Sequence, residues 1–141
     1  MIQKFIIRGE PKGKGRPRFS TRTGHAFTPK ETMAYEAYTR VEYINQTDGY
    51  RFPDDAQLVM DIVAYYSIPK TGTKKVKELK AKNILRPTKK PDMDNVVKAI
   101  CDALNGVAYK DDVQIVDCRV RKYFGDEPRV LVTIADIPRE E

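Results

Sequence analysis

The spacing of apolar and polar residues divides the chain into a short series of elements. Ile2–Arg8 alternates well enough for a strand, with Phe5 and Ile7 on one side. From Pro29 to about Gln46 the apolar positions recur at helical intervals. Met33, Ala34, Ala37, Tyr38, Val41 and Ile44 are the expected inner stripe, with Thr28 as cap and Pro29 at the first helical position. Ala56–Ile68 is the clearest strand: Leu58, Met60, Ile62, Ala64, Tyr66 and Ile68 share one face, and Val59, Val63 and Tyr65 on the other imply a central position. Asp61 on that second face has no role that the pattern assigns. Thr73–Lys82 predicts a short helix. Val116, Cys118, Val120 and Phe124 alternate with Asp117, Arg119, Arg121 and Tyr123, which gives a strand with a core face and a basic face. Gly125–Pro128 then turns the chain into a last strand, Arg129–Ile137, with Val130, Val132 and Ile134 inward and a frayed tail from Pro138 to Glu141. The order predicts an α+β fold, a mixed sheet of about four strands with helices on one face.

Length changes the picture little: 141 residues make one domain, 1–141. Charge changes it more. The formal net charge is +6, which favours a polyanionic partner. No apolar run approaches a membrane span and no secretory leader opens the chain, so a cytoplasmic protein with no membrane partner is expected. Cys101 and Cys118 are too few for a zinc site and are expected to be reduced core thiols. His25, the single histidine, lies in a Thr-Gly-His turn and reads as a surface residue.

The positive charge is concentrated in two places. The loop 9–24 carries Lys12, Lys14, Arg16, Arg18 and Arg22 among glycines and prolines, a composition that lets backbone and guanidinium approach phosphates. It lacks the Gly-Lys-Ser/Thr spacing of a P-loop. Phe19 and Phe27 flank it and are expected to pack it onto the core. The insertion 69–90 is lysine-rich, ends in Lys89 and Lys90, and is expected to be partly disordered without DNA.

That insertion leads into an acidic stretch. Met93, Val96, Val97, Ile100 and Leu104 predict a helix from about Asn95 to Asn105, with Asp94 as cap and Gly106 as the stop. Asp94, Lys98 and Asp102 follow one another at four-residue spacing on its polar face, with Asp92 just ahead. A helix of about eleven residues spans ~17 Å, and an extended Val107–Asp112 would cover ~20 Å. Asp111 or Asp112 would then return to the level of Asp92 and Asp94. Carboxylates held together invite a hard divalent cation such as Mg²⁺, and Lys98 would add positive charge one turn away. The combination suits phosphodiester hydrolysis. Taken singly, each aspartate is as well explained as a cap or a turn residue.

The motif Pro91-Asp92-Met93-Asp94-Asn95, Lys98, Asp102-Ala103-Leu104-Asn105-Gly106 and Asp111-Asp112-Val113-Gln114-Ile115-Val116 resembles the signature of the RusA family of Holliday junction resolvases. Gly13–Phe19 resembles phage-type members more loosely. The resemblance implies a small homodimeric endonuclease, bacterial or phage-encoded, that needs Mg²⁺ (with Mn²⁺ as the alternative) and no organic cofactor. It cuts four-way DNA junctions with paired nicks, in recombination and repair. It assigns Asp92, Asp94, Lys98 and Asp112 as the catalytic set, with the three aspartates on the metal. Lys12, Lys14, Arg16, Arg18, Lys89, Lys90, Arg119 and Arg121 are the expected DNA contacts. Asp61, Asp102, Asp111 and His25 receive no role. Two other readings compete: a non-catalytic nucleic-acid-binding module, which the acidic cluster opposes, and a small-molecule phosphohydrolase, which leaves the basic loops without a purpose.

Overall fold

The computed structural model describes residues 1–15, 18–27 and 29–139. Its centre is a mixed four-stranded sheet in the order β1 (Ile2–Arg8), β6 (Arg129–Asp136), β4 (Leu58–Ser67), β5 (Ile115–Gly125). All neighbours are antiparallel except β4 and β5, which run parallel. A two-stranded hairpin, β2 (Arg18–Phe19) with β3 (Ala26–Phe27), lies inside the basic loop. Three helices complete the fold: α1 (Lys30–Thr47), α2 (Lys74–Ala81) and α3 (Met93–Leu104). This is the α+β architecture that the hydrophobic pattern predicts, with β4 central. Among these residues no helix is long and apolar enough to cross a membrane.

One face of the sheet builds the core. Phe5 and Ile7, Leu58 through Tyr66 at every second position, and Val130, Val132 and Ile134 are buried against Val96, Ala99, Ile100 and Leu104 of α3. Each such aliphatic side chain contributes about 1.5–3 kcal/mol by leaving water.

Helix α1 departs from expectation. Its buried stripe is Thr32, Tyr35, Thr39, Tyr43 and Thr47, while Met33, Tyr38, Val41 and Ile44 face solvent. The polar stripe can be buried because its hydroxyls are satisfied locally. Thr39 and Thr47 donate to the carbonyls of Tyr35 and Tyr43, and the Tyr43 hydroxyl donates to the Tyr50 carbonyl. Pro29 occupies the cap position, and Thr28, the expected cap, lies outside the described residues. Helix α2 matches expectation, with the Thr73 hydroxyl accepting from the Val76 amide. The lysine-rich insertion around it is tied to the edge of β5. Lys80 lies 4.8 Å from the Phe124 ring centroid, and Arg86 Nε donates to the Lys122 carbonyl.

Two thiol and aromatic expectations also change. Cys101 is buried, but Cys118 is exposed, because it lines an open groove between β5 and α3. Phe19 does not dock on the core and is 66% exposed at the hairpin. His25 is exposed, as expected.

Burial raises the phenols of Tyr35 and Tyr66 to about 12, with the Asp92 carboxylate adding to the effect at Tyr66. An unfolded phenol titrates near 10, so between about pH 10 and 12 the unfolded chain releases protons that the folded chain keeps. The stability these two phenols contribute is therefore complete below about pH 10 and is lost as pH rises, by on the order of 2–3 kcal/mol for Tyr35 and less for Tyr66. Urea melts across this range, with tyrosinate absorbance followed in parallel, should show ionisation coincident with unfolding. Titration of every tyrosine near pH 10 in a fully folded chain would contradict this.

Candidate active site

Helix α3 begins earlier than its sequence suggests. Asp92, not Asp94, is the cap residue, and Asp94 lies in the first turn. The Asp92 carboxylate makes no capping hydrogen bond, although its carbonyl accepts from the Val96 amide. The side chain is thus exposed at the positive end of a helix.

Three contacts fix this corner. The Tyr66 hydroxyl donates to the Pro91 carbonyl at 2.6 Å, and Lys122 Nζ donates to the Lys89 carbonyl at 2.8 Å. The Lys14 amide donates to the Asn95 carbonyl at 3.0 Å. Lys122 also lies 4.9 Å from the Tyr66 ring centroid, and burial lowers its pKa while the Asp92 carboxylate pulls it back up. The sequence offered a signal for this residue: Lys122 occupies a core-face slot of β5, between Val120 and Phe124.

Two glycines of the basic loop let the chain pack closely within the fold. A Cβ on Gly13 would stand 2.9 Å from the Cβ atoms of both Asn95 and Pro91, and one on Gly15 would stand 2.5 Å from Thr32 Oγ1. The close approach they permit is to the first turns of α3 and α1. Lys14 is drawn in as well. Its ammonium contacts Glu36 and lies 3.2 Å from Asp102, linking the loop to both helices. Burial works against its charge, but the two carboxylates outweigh that and raise its pKa. Lys12 and Arg18 line an open cleft beside Lys90 and Asp92. Arg16 lies outside the described residues.

Asp112 sits elsewhere. The segment after α3 does not run back extended. It curls through a turn in which the Val107 and Ala108 amides donate to the Leu104 carbonyl and the Gly106 amide donates to the Tyr109 carbonyl. Asp112 then donates its amide to Asn105 Oδ1 at 2.9 Å. That fixes it at the C-terminal end of α3, whereas Asp92 and Asp94 occupy the N-terminal end of a helix ~18 Å long. Among the described residues of one chain, no three His, Cys, Asp or Glu side chains stand close enough to hold a metal. The expected convergence is thus not reached within one chain, because the Leu104–Tyr109 turn uses up the length that would have carried Asp112 back.

A groove between α3 and β5 connects the two ends. Asp94, Lys98, Asp102 and Asp112 rim it, and Met93, Val97, Cys118 and Val120 floor it. Desolvation raises the Asp112 pKa, and the Asp111 and Asp102 carboxylates raise it further.

The unassigned acids now have partners. Asp102 pairs with Lys14. Asp61 receives Arg121 NH2 on both oxygens at 2.9 and 3.1 Å. Asp111 caps the single-turn helix Asp112–Gln114 through the Val113 amide. Arg121 is thereby engaged within the fold, whereas Arg119 beside it is exposed. Among the described residues, Asp92, Asp94, Asp112 and Lys98 have no ion-pair partner within 4 Å.

The mixed sheet thus carries a helix whose Asp92 and Asp94 carboxylates, among the described residues, have no ion-pair partner, beside a cleft lined by Lys12, Arg18 and Lys90. The chain belongs to the RusA endodeoxyribonuclease family, a family of Holliday junction resolvases, whose model matches residues 8–135. A protein of Bacillus subtilis (strain 168) described as "Uncharacterized protein YqaN" is 40% identical over 141 residues, which span 95% of this chain and 96% of that one.

Proposed function

We propose that this chain is a divalent-metal-dependent endonuclease that resolves four-way DNA junctions as a two-fold dimer, with each site assembled from both copies. One observation carries the reading: among the described residues, Asp92, Asp94 and Asp112 have no ion-pair partner and lie at opposite ends of α3, along a groove floored by Met93, Val97, Cys118 and Val120. A two-fold axis across that groove sets α3 antiparallel to its copy. Asp92 and Asp94 then face Asp112 of the partner subunit, and Met93, Val97, Cys118 and Val120 are covered.

The donor set fits a hard cation. All three are carboxylates, and the Asp112 pKa is raised by desolvation and then by the neighbouring Asp111 and Asp102 charges, a concentration of negative charge that such an ion would relieve. Mg²⁺ or Mn²⁺ held by Asp92, Asp94 and Asp112 would supply charge neutralisation at a phosphoryl oxygen and a more acidic water. The protein's own groups do the positioning. Lys98 orients the scissile phosphate, and Lys12, Arg18, Lys89 and Lys90 guide the strand along the cleft to Asp92. Arg119 holds a more distant phosphate. Two sites related by a dyad account for paired nicks, the chemistry that recombination and repair require.

The test is a synthetic four-way junction with Mg²⁺, with Mn²⁺ and with chelator. Paired nicks in strands of like polarity are expected only with a cation, and a linear duplex should stay intact. Tight, salt-sensitive binding with no cutting under any cation would instead leave a non-catalytic DNA-binding module.

A further inference from the structure

The face of the sheet opposite the helices carries a row of side chains that the proposed cleavage site does not use. Arg129, Tyr65 and Tyr123 are register neighbours across β6, β4 and β5. The two rings stack with centroids 5.9 Å apart and planes 28° apart. The Arg129 guanidinium lies 4.1 Å from the Tyr65 centroid, and that of Arg86, reaching over the β5 edge, lies 4.2 Å from Tyr123. The row is held in place. Arg129 NH1 donates to the Glu127 carbonyl and Arg86 Nε to the Lys122 carbonyl, each at 2.8 Å. A Cβ on Gly125 would stand 3.1 Å from Tyr65 Cδ1, so glycine leaves the ring its place.

We propose that this Arg-Tyr-Tyr-Arg row is a second DNA surface, which takes the phosphate backbone of a junction arm other than the one being cut. The inference rests on the junction-resolving function proposed above. Charge selects the occupant. Along the strands, Lys4, Arg8, Arg119, Arg121 and Arg129 alternate outward against Asp61 and Asp117, and Arg86 adds to the excess. Geometry selects backbone over bases. Each tyrosine has one face on the other ring and one under a guanidinium, so no ring face is open for a base to stack on. What remains at the surface is N–H edges on arginines already held in position. That arrangement suits phosphate and lowers the entropic cost of binding it. The surface lies across the sheet from the α3 groove, so a dimer formed through the groove leaves it free.

The experiment has two arms. In the wild-type protein, phenylglyoxal labelling followed by mass spectrometry should show Arg86 and Arg129 protected by a four-way junction. The double variant Arg86→Gln, Arg129→Gln should bind the junction about ten- to thirtyfold more weakly, with the slope of log K against log salt reduced by about 2. Its cutting at saturating protein should be unchanged. If the wild type binds and cuts but both arginines label at the free rate, or the variant binds with unchanged affinity and slope, this inference fails alone. An acidic protein partner at this face gives that same result and overturns the DNA surface. If the wild type neither binds nor cuts the junction, the functional reading fails with it.

Discussion

Mixing Asp94→Asn chains with Asp112→Asn chains is expected to restore junction cutting that neither variant has alone. On the proposed function, each single variant removes one oxygen ligand from both sites of a dimer. Each should lose on the order of 10³-fold in rate, about 4 kcal/mol of transition-state stabilisation, while still binding the junction. In a mixed dimer the outcome depends on how the site is assembled. If Asp92 and Asp94 of one chain meet Asp112 of the other, both lesions fall in the same site. The second site then keeps Asp92, Asp94 and Asp112 intact. Random exchange at equal amounts makes about half the dimers mixed, each with one working site, so roughly a quarter of wild-type nicking should return. The product should be single nicks, not paired ones. Mixing Asp92→Asn with Asp94→Asn is the control. Those lesions lie on the same side of the shared site, each site keeps one of them, and no activity should return. If the first mixture stays as dead as the control, each chain holds its metal by itself and the shared site is wrong.

The separation of Asp112 from Asp92 and Asp94 could not be read from the residues alone, and the reason lies in one turn. The motif Asp92–Asn105 was legible as an amphipathic helix with its acids on the polar face, and α3 differs in starting two residues earlier and ending at Leu104. What spacing cannot give is the path of the next six residues. Val107–Asp112 is long enough to span the helix if extended, but Tyr109 is buried with its hydroxyl on the Cys101 carbonyl, and that anchors the segment where α3 ends. The strands were legible because alternation against a single core face leaves little ambiguity: Phe5, Ile7, Met60, Ile62, Val130 and Val132 are all buried as expected. In helix α1 the apolar pattern misleads, because apolarity is not the measure of burial there. Threonines and tyrosines whose hydroxyls find nearby carbonyls can be buried as readily as methionine or valine. The basic loop was legible in charge but not in contact. Sequence gives Lys12 and Lys14 the same environment, two positions apart among glycines, and only the packing of Gly13 and Gly15 against α3 and α1 separates them.

That separation yields the second large effect. Lys14→Met is expected to destabilise the fold by about 2–3 kcal/mol, a fall of roughly 5–10 °C in melting temperature, whereas Lys12→Ala should leave the melt unchanged and weaken junction binding a few-fold. The reason is the company Lys14 keeps. Glu36 and Asp102 have side chains only 12% and 28% exposed, and Lys14 itself is 17% exposed. Glu36 has a second cation in Arg40, but at 3.9 Å, and Arg40 Nε is already committed to the Ala103 carbonyl. Removing the ammonium therefore leaves two partly desolvated carboxylates with little compensation, and detaches the loop from both helices. A double-mutant cycle isolates the contact: in a Glu36→Gln background the same Lys14 substitution should cost appreciably less. If Lys14→Met instead melts with the wild type and loses junction affinity as Lys12→Ala does, its ammonium belongs to the DNA. The loop would then be a free phosphate clamp, without the brace between α1 and α3 that the ion pairs describe.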